Sequence, residues 1–471
     1  MDRNHGPRLA AGLVCMAALL AGCSDGGSDD RVSVGDDAPA QPDQPARVQD
    51  TRMFAVDEDE LAFEALDGLP TERYTGVLDG AGYRIEVPEN WNGLLVMYAH
   101  GYRGEGPKLT VDSPPIRQYL VSQGYAWAAS SYSTNYYDVR TGVEDTNNLA
   151  LNFADITGQM APTKTYIMGV SMGGHVTAAA IEAETAANAN HKVSYAAAMP
   201  ACGVVGGGDT EFNYLLNFTF AAQHVADMGP TMFPNTDFDQ QAIDAVLWET
   251  VPSFTEQGVP TEQGLELEDI VRQLSGGDRP VFEQGFRGGY YNVVMGTGGR
   301  DGTINGILAR DFTSNTGFTY QFDADDDLSD AEQMFNDSIL RVMADADANP
   351  LQPDGLRWLP NVNGQFSVPV VSLHGLGDLY VPFSNEQVYR RRAEANGNGD
   401  LLVQRAIRSA PHCDFTGTEL VSGFQAMIDW EQNGTKPAGD DVLDADTVAD
   451  ENYGCQFTSE TRDGVAACPT D

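Results

Sequence analysis

The chain has 471 residues, 42% of them apolar and 20% charged, enough for a sizeable core in one large domain or two ordinary ones. Its 69 acidic residues outnumber 27 basic ones, for a formal net charge of −42. That balance argues against binding nucleic acid or an anionic lipid surface, both of which demand a basic face, and reads as a solvated surface that keeps the protein soluble.

Arg3 and Arg8 precede a short apolar run over residues 9–20. It is too short for a membrane span and ends in small residues, as a signal peptide does. Leu20-Ala21-Gly22-Cys23 resembles the lipobox of bacterial lipoproteins. The resemblance implies that residues 1–22 are removed and that Cys23 is lipidated. The chain would then meet the membrane only through a lipid anchor in the cell envelope. Ser24 after the cysteine implies the outer membrane. The alternative is an ordinary cleaved signal and a secreted protein. Residues 23–59 open with an Asp-, Gly-, Ser-, Pro- and Gln-rich stretch and read as a disordered tether.

Strand and helix patterns follow. Residues 83–88 alternate like a strand with one wet face, and 94–99 form a continuous apolar run expected of a strand buried on both faces. The spacing then predicts a helix over 116–122, a strand over 125–131 and a helix over 143–153. A strand follows over 164–170, a helix from 172 to about 184 and a strand over 193–199. This alternation means a doubly wound, mostly parallel α/β sheet. It lapses over residues 205–363, where helical stretches (214–226, 239–249, 331–344) and many aromatics predict a mainly helical insertion acting as a lid. It resumes with a strand over 368–373, a helix over 385–394, a strand over 401–407 and a helix over 418–430. The core is therefore 60–204 with 364–438, and 439–471 is an acidic, irregular tail.

Gly169-Val170-Ser171-Met172-Gly173 sits where an apolar strand turns sharply into a helix. Such a turn strains the serine backbone, demands small flanking residues and holds the Oγ proud of the sheet. Serine chemistry also needs an imidazole base, a carboxylate to orient it and N–H groups for the oxyanion. Candidates lie at the carboxyl ends of other strands: His100-Gly101, His374-Gly375 with Asp378 and Val381-Pro382, and His412. Asp414 is the rival carboxylate. His5 leaves with the signal, His100 and His374 precede glycines where a histidine shapes a loop, and His175 lies on the serine's helix. His191 and His224 lack any motif; His412 alone follows the last strand.

In this order, serine then acid then histidine, the motifs resemble the α/β-hydrolase superfamily over residues 80–203 and 366–432. The resemblance implies Ser171 as nucleophile, Asp378 as acid and His412 as base. It implies an oxyanion hole from the backbone N–H of Met172 and of Tyr102, or of Arg103 one residue on. Four cysteines remain after Cys15 and Cys23, and they allow three pairings. Cys202 ends the strand after the serine's helix and Cys413 follows the implied base, so both belong on the active face; Cys202–Cys413 and Cys455–Cys468 are the expected pairs. Tannase-like esterases similarly tie down the cysteine beside the histidine, but place its partner just before the serine, where this chain has Val170.

Asp323, Asp325 and Asp327 alternate as in a calcium loop, but Leu328 and Met334 stand where that loop needs glycine and glutamate. No metal or cofactor is expected. The motifs imply a hydrolase cleaving small-molecule or polymeric carboxylic esters through an acyl-serine. Tyr132, Tyr136 and Tyr137 suggest a pocket for a bulky or aromatic group, with core packing as the plain alternative. An amidase, a peptidase or a polyester depolymerase could use the same groups, and a catalytically silent binding module is the reading from another class.

Overall fold

In the computed structural model, residues 53–229, 238–297, 311–325, 327–353 and 355–469 are described. The signal segment, Cys23 and the tether to residue 52 lie outside them. All described residues belong to one compact unit, Pro42–Asp471.

Eight strands form the central sheet: β1 (Thr71–Leu78), β2 (Ala81–Pro88), β3 (Leu94–Ala99), β4 (Ala126–Ser130), β5 (Lys164–Val170), β6 (Tyr195–Ala201), β7 (Val370–Gly375) and β8 (Leu402–Ile407). Their order across the sheet is β8-β7-β6-β5-β3-β4-β2-β1. β2 runs antiparallel to both neighbours, and every other pairing is parallel. This order, with one reversed strand, is the α/β-hydrolase fold. β1 escapes the sequence pattern because it is an edge strand with only alternate, half-buried apolar positions.

Alternation along the buried strands feeds two apolar layers. Leu95, Met97 and Ile167 point to the face covered by α2 (Val139–Thr157) and α3 (Met172–Ala180). Val96, Tyr98, Tyr166 and Met168 point to the face covered by α1 (Arg117–Ser122) and α8 (Gly417–Asn433). Two-sided burial is why these strands read as continuous apolar runs. α2 is longer than its pattern suggested, because Asp138 caps its start and left-handed Gly158 its end. A capping box on Thr416 and Glu419 likewise starts α8.

Between β6 and β7 the described chain forms α4 (Gly207–Val225), α5 (Glu262–Leu274), α6 (Tyr290–Met295), α7 (Asp330–Ser338) and further helices. Its aromatics Phe212, Phe218, Phe286 and Tyr291 share one continuous apolar cluster with α2 and α3. The tail is not loose. Asp440 N donates to Gln404 O and Asp440 Oδ2 accepts from Ala406 N, so the tail covers the exposed edge of β8. Val442, Val448, Tyr453 and Val465 then bury themselves against Leu376, Phe383 and Ala406. No helix among the described residues is long and apolar enough to cross a membrane.

Candidate active site

β5 delivers Ser171 into a strained conformation, φ 57° and ψ −125°, directly before α3. The flanking glycines are obligatory. A Cβ on Gly169 would strike the Gly173 carbonyl, and one on Gly173 would strike the Ala99 carbonyl. So β5, α3 and the end of β3 are pressed together around one serine.

His412 enters from the loop after β8. Its Nε2 lies 2.8 Å from Ser171 Oγ and its Nδ1 lies 2.6 Å from Asp378 Oδ2. Asp378 is fully buried, and its other oxygen accepts from the backbone N–H groups of Tyr380 and Val381, both at 3.0 Å. A carboxylate can only accept, so Nδ1 carries the imidazole hydrogen and Nε2 is left to accept from the serine hydroxyl. Asp414 is engaged elsewhere, 2.7 Å from Arg462 Nε. The structure therefore brings Ser171, His412 and Asp378 into one hydrogen-bonded line.

The loop after β3 lies alongside. A Cβ on Gly101 would sit 3.2 Å from Ser171 Cβ, so the backbone next to Tyr102 faces the serine. Met172 is the first residue of α3, where a helix N–H has no intrahelical acceptor. Arg103, the alternative to Tyr102, is ion-paired with Asp112. His100 holds this loop: Nδ1 contacts Gly101 O at 2.6 Å and the ring stacks on Tyr132 at 4.0 Å. Burial pushes His100 down to about 4, so it stays neutral at physiological pH. His374 holds the acid's loop through Val381 O at 2.9 Å. His175 bridges Tyr137 and Pro360 O. His191 meets Glu144 and His224 meets Ser338; His5 lies outside the described residues.

Cys202 and Cys413 are joined, as are Cys455 and Cys468. Both bonds belong to an oxidising, extracellular kind of compartment. The first ties the end of β6 to the residue after His412, across 211 residues, and Cys413 Sγ lies 3.3 Å from His412 Nε2.

Of Tyr132, Tyr136 and Tyr137, expected to line an aromatic pocket, two lie in the core instead. Tyr132 is 1% and Tyr137 6% exposed, and both are core residues. Their hydroxyls serve the His100 carbonyl and His175, so these rings shape the loops behind the serine. Tyr136 is half-buried, and its backbone N–H holds Gly104 O. Two other tyrosines stand edge-on to His412: Tyr380 at 5.5 Å and Tyr290 at 5.7 Å between ring centroids. They stack on each other at 6.2 Å, and exposed Phe254 extends the row from Tyr290 at 5.4 Å. Tyr380, two residues past Asp378, could have been found from that spacing; Tyr290 had no sequence signal.

One further acid lies close. Glu211 on α4 is buried, and its Oε2 accepts from Asn385 Nδ2 at 3.1 Å. Burial, with the nearby Asp378 charge, pushes its carboxyl well above the ordinary 4.5. Asp325 and Asp327 donate their backbone N–H groups to neighbouring aspartates, as solvated turns do. Among the described residues no group of three or more His, Cys, Asp or Glu could hold a metal ion.

No protein-family model matches the chain. It is 24% identical over 416 residues to the o-phthalyl amidase of Xanthobacter agilis, covering 78% of this chain and 89% of that protein. Solved structures similar to it include Pyrococcus horikoshii acylaminoacyl peptidase (10% identity, TM-score 0.37), where the match covers 79% of this chain and 43% of the peptidase. The chain thus spans less than half the length of that enzyme. Feruloyl esterase B from Aspergillus oryzae matches at 13% identity and TM-score 0.37, over 79% of this chain and 85% of the esterase. At such scores these likenesses bear no weight beside the strand order and the geometry around Ser171.

Proposed function

We propose that this α/β-hydrolase-fold chain is a serine hydrolase that cleaves carboxylic esters of bulky or aromatic acids through an acyl-serine. One observation carries the reading: the unbroken hydrogen-bonded line from Ser171 Oγ through His412 to Asp378. Ser171 Oγ attacks the carbonyl carbon and its proton passes to His412 Nε2. Asp378 keeps the imidazole in the required tautomer and stabilises the imidazolium. The backbone N–H groups of Met172 and Tyr102 receive the oxyanion. His412 returns the proton to the leaving alcohol, the acyl group stays on Ser171, and a water deprotonated by His412 then releases the acid. The row Tyr380, Tyr290 and Phe254 supplies flat apolar surface beside the reacting carbonyl, which suits a planar acyl group.

The o-phthalyl amidase similarity favours a second reading, hydrolysis of amides of aromatic acids by the same steps. A matched panel of benzoyl and acetyl esters and amides, run beside fluorophosphonate labelling, separates the readings. We expect Ser171 to be labelled and benzoyl esters to turn over fastest. Faster benzoyl amides would move the assignment to amidase, and an unlabelled Ser171 in folded protein would leave a binding module. We further propose that the protein works in the cell envelope, held by lipid on Cys23; a Cys23→Ala protein that stays in the membrane fraction would refute the anchor.

A further inference from the structure

Basic side chains are scarce here, 27 against 69 acids, so a buried guanidinium should readily find a carboxylate. Arg279 and Arg408 are 6% and 4% exposed and are held by neutral groups instead. Arg279 donates from Nε to Leu376 O at 2.7 Å, from Nη1 to Gly277 O at 2.8 Å and from Nη2 to Ser275 Oγ at 2.9 Å. Arg408 donates from Nη1 to the carbonyls of Glu451 and Tyr453 at 2.7 and 3.1 Å, and from Nη2 to Ala466 O at 3.3 Å. Its buried Nε has no partner among the described residues. A guanidinium carries five N–H donors, so both arginines keep donors in reserve.

Both line one cavity of about 500 Å³, together with Arg272. The cavity lies where three parts of the chain meet: residues 272–284, Arg408 just past β8, and tail residues 449–466. Arg408 also borders a second cavity of about 200 Å³, walled by residues 458–469 of the tail. Two carboxylates stand in the larger cavity's wall. Asp278, 3.6 Å from Arg272 Nε, is more than half exposed, and Glu451 is exposed. Arg272 is already paired with Glu268.

We infer that this cavity binds a small oxyanion, of phosphate or carboxylate type, between Arg279 and Arg408. The bound charge would compensate two guanidinium groups that the fold buries with no ion-paired acid among the described residues. It would also fasten three segments behind the acid's turn. Arg279 holds Leu376 O, and Gly377 N donates to the carbonyl of Ser409, next to Arg408; both contacts lie within two residues of Asp378.

Thermal unfolding of the full chain tests this, with sodium phosphate in one arm and sodium acetate in the other, at ionic strength fixed with sodium chloride. The expected result is a saturable rise in Tm of a few degrees with one of the anions, phosphate identifying an inorganic oxyanion and acetate a carboxylate. Arg408→Gln should abolish the rise. Asp278→Asn, at an exposed position, should lower the half-saturating concentration about threefold by removing a repelling charge. No saturable rise with either anion, or an undiminished rise in Arg408→Gln, overturns the site. Should Arg408→Gln not fold, an unchanged half-saturating concentration in Asp278→Asn does the same.

Discussion

Ser171, Asp378 and His412 hang from the strand ends of one sheet, whereas Tyr290 reaches His412 from the helical stretch between β6 and β7, with Phe254 of the same stretch against its far side. The sheet half is fixed by backbone. Its glycines stand where no Cβ fits, and its acid is held by two backbone N–H groups and a histidine. The helical half is fixed by side chains, with Phe218, Trp248, Phe286 and Tyr291 interlocked ring against ring. Where the halves meet, hydrogen bonds cross beside the shared apolar cluster, among them Tyr214 Oη to Leu379 O at 2.7 Å and Asn385 Nδ2 to Glu211 Oε2. Backbone constraint gives the precision that proton transfer needs, while a packed aromatic surface can select an acyl group by shape. On the proposed function, chemistry would fall to one half and selection to the other.

Asp378→Asn strikes the sheet half hardest. An amide can donate to Nδ1 and so invert the tautomer, and kcat should fall about 10⁴-fold with KM little changed. Steady-state kinetics on the best benzoyl ester check this. A fall below tenfold would mean that another carboxylate orients His412, and would break the assignment.

Tyr290→Ala probes the other half. Losing one aromatic contact should lower kcat/KM for benzoyl esters about tenfold, mostly through KM, and leave acetyl esters nearly unchanged. An equal loss on both substrates would make Tyr290 a packing residue, and selection would then lie elsewhere.

Glu211→Gln tests the seam and should give the smallest effect. Glu211 holds its proton above its ordinary value in the folded chain. The stability it contributes is therefore full below the unfolded carboxyl pKa and is lost as pH rises through the folded one. Glutamine resembles the protonated acid and cannot ionise. The variant should match the natural chain in Tm at pH 4 and exceed it by about 2 °C at pH 8. No gain at pH 8 would mean that Glu211 is ionised in the folded protein.

Legibility followed the same division. Strands buried on both faces and the G-x-S-x-G turn left unmistakable patterns, because two-sided burial and a strained turn each restrict residue type locally. β1 left little trace, since an edge strand needs only a weak alternation. The helix expected over 331–344 ends at Ser338, where the backbone becomes extended and Arg341 binds the carbonyls of Asn315 and Phe318. The tail read as irregular because its four anchoring apolar residues are scattered, and they matter only once β8 presents an edge to cover. Tyr132 and Tyr137 were misread for a related reason: an aromatic loop near a nucleophile looks the same in sequence whether its rings face solvent or core.

By itself the sequence determined the order of the buried strands, the serine elbow and the residues able to serve as acid and base, because period, turn chemistry and residue type are local properties. Only the tertiary structure decided that Asp378 and not Asp414 meets His412, that Tyr290 and Tyr380 rather than Tyr132 and Tyr137 stand at the site, and that Glu211 lies buried at the seam. Those outcomes depend on which segments far apart in the chain come within bonding distance, and that is fixed by packing.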